Sequence, residues 1–171
     1  MKEKIKISDY ASVIYDGLKD GILLNTNGDK FNSMVIGWGH IGIIWETETF
    51  TVYVRQSRYT KSQLDKTGTF TISVPLSGKL SPEVYEAFGS MSGRDIDKAE
   101  LVTLEEASLN KVPGIREYPL TIECEVLYSR DQALEKMPEE VIKGFYSGAN
   151  AGDFHTAYIG HIVDTYIIKE D

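Results

Sequence analysis

The chain has 171 residues, with 18 basic against 26 acidic side chains and a formal charge of −8; that length suits one domain whose core buries roughly two thirds of the unfolded surface. With 42% hydrophobic and 26% charged residues it is too apolar for disorder, and its acidity removes the usual driving force for nucleic-acid binding. A lone Cys124 excludes an intramolecular disulfide, no apolar run approaches the ~20 residues of a membrane-spanning helix, and nothing at Met1-Lys2-Glu3-Lys4 resembles a signal peptide's apolar core, so the expectation is a single cytoplasmic domain over residues 1–171, with no membrane or nucleic-acid partner.

In chain order, Gly21–Thr26 (GILLNT) is a short apolar strand running into Asn27-Gly28-Asp29, a strong hairpin turn signal. Phe31–Trp45 is rich in β-formers but broken by Gly37, Gly39 and Gly42, which suggests bends or close backbone approach. Phe50–Arg55 (FTVYVR) alternates cleanly, with Thr51, Tyr53 and Arg55 on its polar face. Thr60 and Gln63 have capping-box spacing, so a short helix is expected over Lys61–Lys66 with Gly68 just past its end. Thr69–Val74 returns as a strand before Pro75, and Ser81-Pro82-Glu83 opens a helix of about two turns whose apolar face is Val84, Tyr85 and Phe88.

Further on, Asp95–Ala107 reads as partly helical and Val112-Pro113-Gly114 as a loop. Leu120–Tyr128 alternates as a strand that turns Cys124 toward the core. Met137-Pro138-Glu139 opens a short helix ending near Gly144, Ser147–Gly152 is a flexible loop, and Phe154–Ile168 is a long last strand. Strands separated by tight turns, with helices as inserts, favour a mainly β antiparallel barrel.

The stretch Arg55-Gln56-Ser57-Arg58-Tyr59-Thr60 stands where a strand hands over to a helix. With Thr60 as N-cap, the outward N–H groups of the helix favour an anion. Arg55 and Arg58 can clamp it bidentately while Ser57 and Thr60 add neutral donors, a set that matches a phosphate monoester. The competing explanation is that both arginines pair with surface carboxylates.

Three more segments accompany it: Asn32-Ser33-Met34-Val35-Ile36-Gly37-Trp38-Gly39, Gly89-Ser90-Met91-Ser92-Gly93-Arg94-Asp95-Ile96-Asp97-Lys98, and Gly152-Asp153-Phe154-His155 with Tyr158-Ile159-Gly160. In this order and spacing they resemble the flavin reductase family with the FMN-binding split barrel, and its flavoredoxin-like members most, over about Gly21–Tyr166. The resemblance implies an antiparallel Greek-key barrel with short peripheral helices and FMN as cofactor. Its phosphate would lie at Arg55, Ser57, Arg58, Tyr59 and Thr60, and its ring along Ser33, Met34, Val35, Ile36 and Trp38, with Ser92, Gly93 and Lys98 as further contacts. It also implies a homodimer with the flavin near the subunit interface, and NADH or NADPH, or another donor, passing electrons through flavin to free flavin or another small-molecule or protein acceptor. A non-enzymatic electron carrier or flavin-storage protein is the alternative.

Two departures from the family pattern stand out. Val35 replaces the usual Thr, removing a hydroxyl that could reach the flavin's pyrimidine edge or N5, and Ala99 follows Lys98 where an aromatic residue is common. Trp38 is either a flavin neighbour or a core aromatic, and Ser92-Gly93-Arg94-Asp95 either a cofactor contact or a plain helix start. His155, at the start of a strand after a Gly-rich loop, is either a donor-side catalytic residue or an exposed strand end. The three scattered histidines, His40, His155 and His161, with the one core cysteine do not form a metal-site pattern, and no Gly-rich dinucleotide fingerprint sits between a strand and a helix.

Overall fold

The computed structural model describes residues 1–169, and these described residues form ten strands and four α-helices. The strands are β1 (Lys2–Lys4), β2 (Ile22–Asn27), β3 (Phe31–Ile36), β4 (Gly39–Ile44), β5 (Thr47–Arg55), β6 (Thr69–Val74), β7 (Leu104–Glu105), β8 (Gly114–Ile115), β9 (Leu120–Asp131) and β10 (His155–Ile168). The helices are α1 (Ala11–Asp20), α2 (Tyr59–Thr67), α3 (Pro82–Ser90) and α4 (Glu139–Phe145).

One antiparallel sheet runs β3-β2-β6-β9-β10-β5-β4, with β1 added to the far end of β10, while β7 and β8 pair by themselves. Its two edge strands, β3 and β4, are consecutive in the chain and joined only by Gly37 and Trp38. A sheet whose opposite edges lie two residues apart must curl on itself, so the barrel follows from the connectivity. The neighbours β2–β6, β6–β9 and β10–β5 are linked through long excursions, a Greek-key pattern rather than a simple meander. The long strand β10 bends with register shifts at Ile159/Gly160 and Ile162/Asp164, the usual effect of bulges at barrel corners.

The interior is filled by alternate residues: Ile22 and Leu24, Met34 and Ile36, Phe50, Val52 and Val54, with Phe70, Ile72, Ile122, Cys124 and Tyr158. Burial, with the adjacent Glu123 carboxylate, pushes the Cys124 thiol well above its ordinary pKa, as expected of a core position. The opposite parity, Leu23 and Phe31 with Val35 against them, packs under α3 with Val84, Ala87 and Phe88. This second core fixes α3 beside β3. Ser81 caps α3, accepting from the Val84 amide at 3.3 Å, and Pro82 occupies its first turn, as its opening residues predict.

Several elements depart from expectation. Helix α1 has no counterpart in the sequence reading; it lies on the barrel, where a Cβ on Gly17 would come within 2.8 Å of Ile22 Cγ2. The Phe31–Trp45 stretch, by contrast, meets its expectation: it breaks at Gly37 and Trp38 into two strands, and at Gly39 the backbone comes so close that a Cβ would meet the Thr51 carbonyl oxygen at 2.8 Å. Within 95–107 the only regular structure is a 3₁₀ turn at Lys98–Leu101 and the two residues of β7. Helix α2 starts one residue before the expected cap: Arg58 is the N-cap, and no side chain caps the end.

Candidate functional site

The strand register brings the site together. On β10, His155 pairs directly with Arg55 of β5, and the Gln56 amide donates to the Phe154 carbonyl at 3.1 Å. The polar face of β5 therefore meets the start of β10 beside the β3–β4 link. Two cavities open there. One, of about 170 Å³, is lined by Met34 to Trp38, Tyr53, Arg55, Arg58 and His155. The other, of about 190 Å³, is lined by residues that include Asn32, Ser57 to Thr60, Ser92 to Arg94 and Lys98. Met34 and Arg58 belong to both, so the two form one cleft with two ends.

No Asp or Glu lines either end, although acidic residues outnumber basic ones across the chain. Arg58, Arg94 and Lys98 converge on the second end, and none of them forms an ion pair among the described residues. Lys98 is 2% exposed; its Nζ donates to the Ser33 carbonyl at 2.7 Å and to that of Phe88 at 3.4 Å. Burial, reinforced by Arg58, pushes its pKa down to about 8. A buried ammonium held only by carbonyls is costly unless an anion completes it. The uncapped α2 N-terminus, with Tyr59 and Thr60 on the cavity wall, adds its dipole and orphan N–H groups to the same spot.

Gly93 brings the 92–96 turn close. A Cβ there would lie 2.1 Å from Asn32 Oδ1 and 3.0 Å from the Tyr59 ring, so only glycine permits this approach. Ser92 organises the same turn, its Oγ accepting from the Arg94 amide at 3.1 Å, and the Arg94 guanidinium lies 5.0 Å from the Tyr59 ring centroid.

The other end is aromatic. Trp38 is in edge contact with Phe145, centroids 5.2 Å apart, and its ring is 4.6 Å from that of His155. Arg55 reaches the loop after α4, donating to the Asp153 carbonyl at 2.7 Å and the Phe145 carbonyl at 3.0 Å, with its guanidinium 5.3 Å from the Tyr146 ring. Ser57 holds the same loop: its amide and hydroxyl donate to the Asp153 carboxylate at 3.0 and 2.6 Å. Within the Arg55–Thr60 stretch, Arg55 and Ser57 thus grip loop 145–153, while Arg58 points between the two ends and donates to the Gly89 carbonyl at 3.2 Å.

Most of the residues singled out from the sequence meet in this cleft, with differences in detail beyond Arg55 and Ser57, which hold the loop. Thr60 is not an N-cap: its Oγ1 is buried and accepts from Asn32 Nδ2 at 2.9 Å. Gln63, which the capping-box spacing assigned to that cap, instead accepts from the Thr26 hydroxyl at 2.6 Å and donates to the Lys30 carbonyl. Ser33 turns away from both cavities and donates to Asn25 Oδ1 at 2.7 Å, touching the site only through its carbonyl to Lys98. Val35 lines the first cavity, yet its methyls pack toward Gly21 and Gly89, on the α3 side.

His155 is 7% exposed, which excludes a free strand end. Burial first, then Arg55 and Arg58 against the opposing Asp153, pushes its pKa down to about 4. Sequence reasoning placed Arg94 in a candidate cofactor segment without giving it a role, and it missed Tyr146 and Asp153; Asp153 stands in a quoted segment, but an acidic residue after a glycine carries no signal of the partner it will find 96 residues away. Among the described residues there is no cluster of three or more potential metal ligands and no helix long and apolar enough to cross a membrane.

An antiparallel barrel thus carries, at its β3–β4 junction, a cleft that is cationic at one end and aromatic at the other. Residues 20–171 match the family described as flavin reductase like domain, and the chain belongs to that family. An uncharacterized protein of Archaeoglobus fulgidus is 32% identical over 107 residues, 61% of this chain and 59% of that protein, so the match spans less than two thirds of this relative's length. Among solved structures, flavoredoxin from Methanosarcina acetivorans superposes with a TM-score of 0.66 at 24% identity, over 88% of this chain and 69% of that one. An FMN-binding domain of flavin reductases-like enzyme from Shewanella baltica OS155 gives 0.64 at 16% identity, over 98% and 77%. At these identities the structures establish the fold, a mostly β FMN-binding-type barrel with a few short helices, and family membership supports a flavin-related redox function.

Proposed function

We propose that the chain binds FMN, accepts reducing equivalents from NADH or NADPH, and passes them to free flavin or to another small-molecule or protein acceptor. What carries this reading is a cleft without carboxylates in an acidic protein, with Arg58, Arg94 and buried Lys98 at one end and Trp38, Met34 and His155 at the other. FMN has the matching form, a doubly charged phosphoryl tail on a flat apolar ring, and bound there it supplies the hydride-accepting and electron-passing chemistry.

The residues divide the work. Arg58, Arg94, Lys98 and the N–H groups at the start of α2 hold the phosphate. Met34 to Trp38 present strand backbone and side chains to the ring. Arg55 and Ser57 anchor the loop whose Phe145 and Tyr146 back Trp38 and His155. Exposed Trp45 at the β4–β5 hairpin, its ring 6.4 Å from that of exposed Tyr128 on β9, offers an aromatic patch suited to a second copy, and the active form is a homodimer.

The experiment is to load the protein with FMN, pass it through gel filtration and mix it anaerobically with NADH and with NADPH. Retained yellow absorbance that bleaches rapidly is the expected result. Protein that takes up no FMN overturns the reading. Loaded protein that stays yellow for minutes with both donors leaves an electron carrier and removes the reductase step.

A further inference from the structure

The Tyr146 hydroxyl lies between two acceptor-capable atoms. It donates to Gln132 Oε1 at 2.6 Å and lies 2.8 Å from His155 Nδ1. A hydroxyl has one proton, and an amide oxygen can only accept. With that proton directed to Gln132, the contact to His155 closes only if Nδ1 carries hydrogen and donates to the tyrosine oxygen. A neutral imidazole protonated at Nδ1 leaves Nε2 as a bare acceptor.

The surroundings keep this arrangement in place. Tyr146 is 5% exposed. Its ring packs edge-on against His155 at 5.6 Å and beneath the Arg55 guanidinium at 5.3 Å. The Gln132 amide donates to the His155 carbonyl at 2.9 Å, so the backbone holds the two ends of the chain of bonds together. His155 Nε2 has no hydrogen-bond partner among the described residues and is not among their buried unsatisfied atoms, while the residue lines the ring end of the cleft.

We infer that Gln132 and Tyr146 are positioning residues that fix His155 in the Nδ1–H tautomer, so that Nε2 meets the ring end of the cleft as a hydrogen-bond acceptor for an N–H of a planar heteroaromatic ligand. Such an N–H is offered by the pyrimidine edge of a flavin and by the carboxamide of a nicotinamide. Burial first, with Arg55 and Arg58, favours the neutral ring over the imidazolium, which keeps Nε2 an acceptor through the neutral pH range. No proton is transferred; the device selects ligands by the direction of one hydrogen bond. Only the assignment of the ligand rests on the flavin reading, and the tautomer does not.

The test is ¹⁵N NMR of the imidazole in ligand-free, histidine-labelled protein, followed by addition of FMN and then of a non-reducing NADH analogue. The expected spectrum shows Nδ1 protonated and Nε2 bare, with Nε2 shifting on FMN if the flavin edge donates, or only on the analogue if the carboxamide does. Gln132→Glu, which also only accepts from Tyr146, preserves the tautomer. Gln132→Met and Tyr146→Phe release it to a mixture and weaken several-fold the binding that the Nε2 shift identifies, the Kd of FMN or the KM of the donor, at nearly constant kcat. A protonated Nε2 in the free protein, or a tautomer unchanged in both Gln132→Met and Tyr146→Phe, overturns the inference. A correct tautomer with Nε2 unmoved by either ligand overturns its ligand half alone.

Discussion

Lys98 and His155 are two buried bases whose charge states the cleft sets in different ways. The Lys98 ammonium has carbonyl partners but no counter-ion, and burial brings its pKa down to about 8. A phosphate beside it would raise that value again, so FMN binding is strongest below about pH 8 and weakens as the pH rises through it. Lys98→Met should lower FMN affinity by about 10- to 100-fold, the scale of one charged hydrogen bond, and flatten the alkaline limb. Fluorescence titrations of FMN from pH 6.5 to 9.5 check both; an alkaline limb that survives in Lys98→Met would belong to another group. His155 acts in the acid range. Its folded pKa near 4 is depressed below the ordinary ~6.5, so its contribution to stability is present above pH 6.5 and is lost as the pH falls toward 4. The slope approaches about 1.4 kcal/mol per pH unit in that window. His155→Gln should remove this part of the dependence, read as the difference in urea midpoint between the two proteins from pH 7 to 4.5, and parallel curves would show that the imidazole takes up protons while folded.

At the scale of elements, the loop between α4 and β10 is held from outside. Arg55 and Ser57, at the end of β5, supply its anchors, and Gly148 and Gly152 take the positive φ values of 58° and 78° that let it turn. The Ser57 amide donates to the Asp153 carboxylate. Asp153→Ala should therefore speed hydrogen exchange at Ser57 and through 146–152 by about tenfold or more, the equivalent of roughly 1.4 kcal/mol of local opening free energy, while β9 and β10 keep their protection. Unchanged exchange at Ser57 would mean that Arg55 alone fixes the loop. Much of this layout was legible in the sequence. Alternation located β5 and β9, the Ser-Pro start located α3, and Gly68 at φ 64° ends α2 where expected. What was hidden is tertiary. Thr60 and Gln63 have the spacing of a capping box, but Asn32 and Thr26 on the neighbouring strands compete for their polar atoms, and a local pattern cannot register that competition. The β4–β5 hairpin turns on Trp45 and Glu46, both at positive φ, without the Asn or Gly that usually marks such a turn. Helix α1 carries Gly17 in mid-helix for close packing on Ile22, which weakens the helical signal that Ile14 and Leu18 would otherwise give.

Across the whole molecule, the sign of charge distinguishes the cleft from its surroundings. The chain carries −8, so an anionic ligand is repelled at long range and attracted only where Arg58, Arg94 and Lys98 gather without carboxylates. This arrangement was only partly foreseeable: the sequence shows the arginines, but not that the acidic side chains would all point elsewhere. It follows that the phosphate contributes a large share of FMN affinity and that riboflavin, which has the same ring without that group, is the informative comparison. A ligand present at 100 times its dissociation constant stabilises a fold by about 2.7 kcal/mol, which in a domain of this size is a rise in Tm of roughly 5–10 °C. FMN at that excess should produce such a rise, whereas riboflavin at the same concentration should give at most a small fraction of it. Salt separates the phosphate's contribution further: the gap between FMN and riboflavin should narrow from 50 to 500 mM NaCl as the cationic end is screened, and the riboflavin value should hardly move. Equal shifts for the two ligands at low salt would place the binding free energy in the ring alone and remove the phosphate from the Arg58–Arg94–Lys98 end.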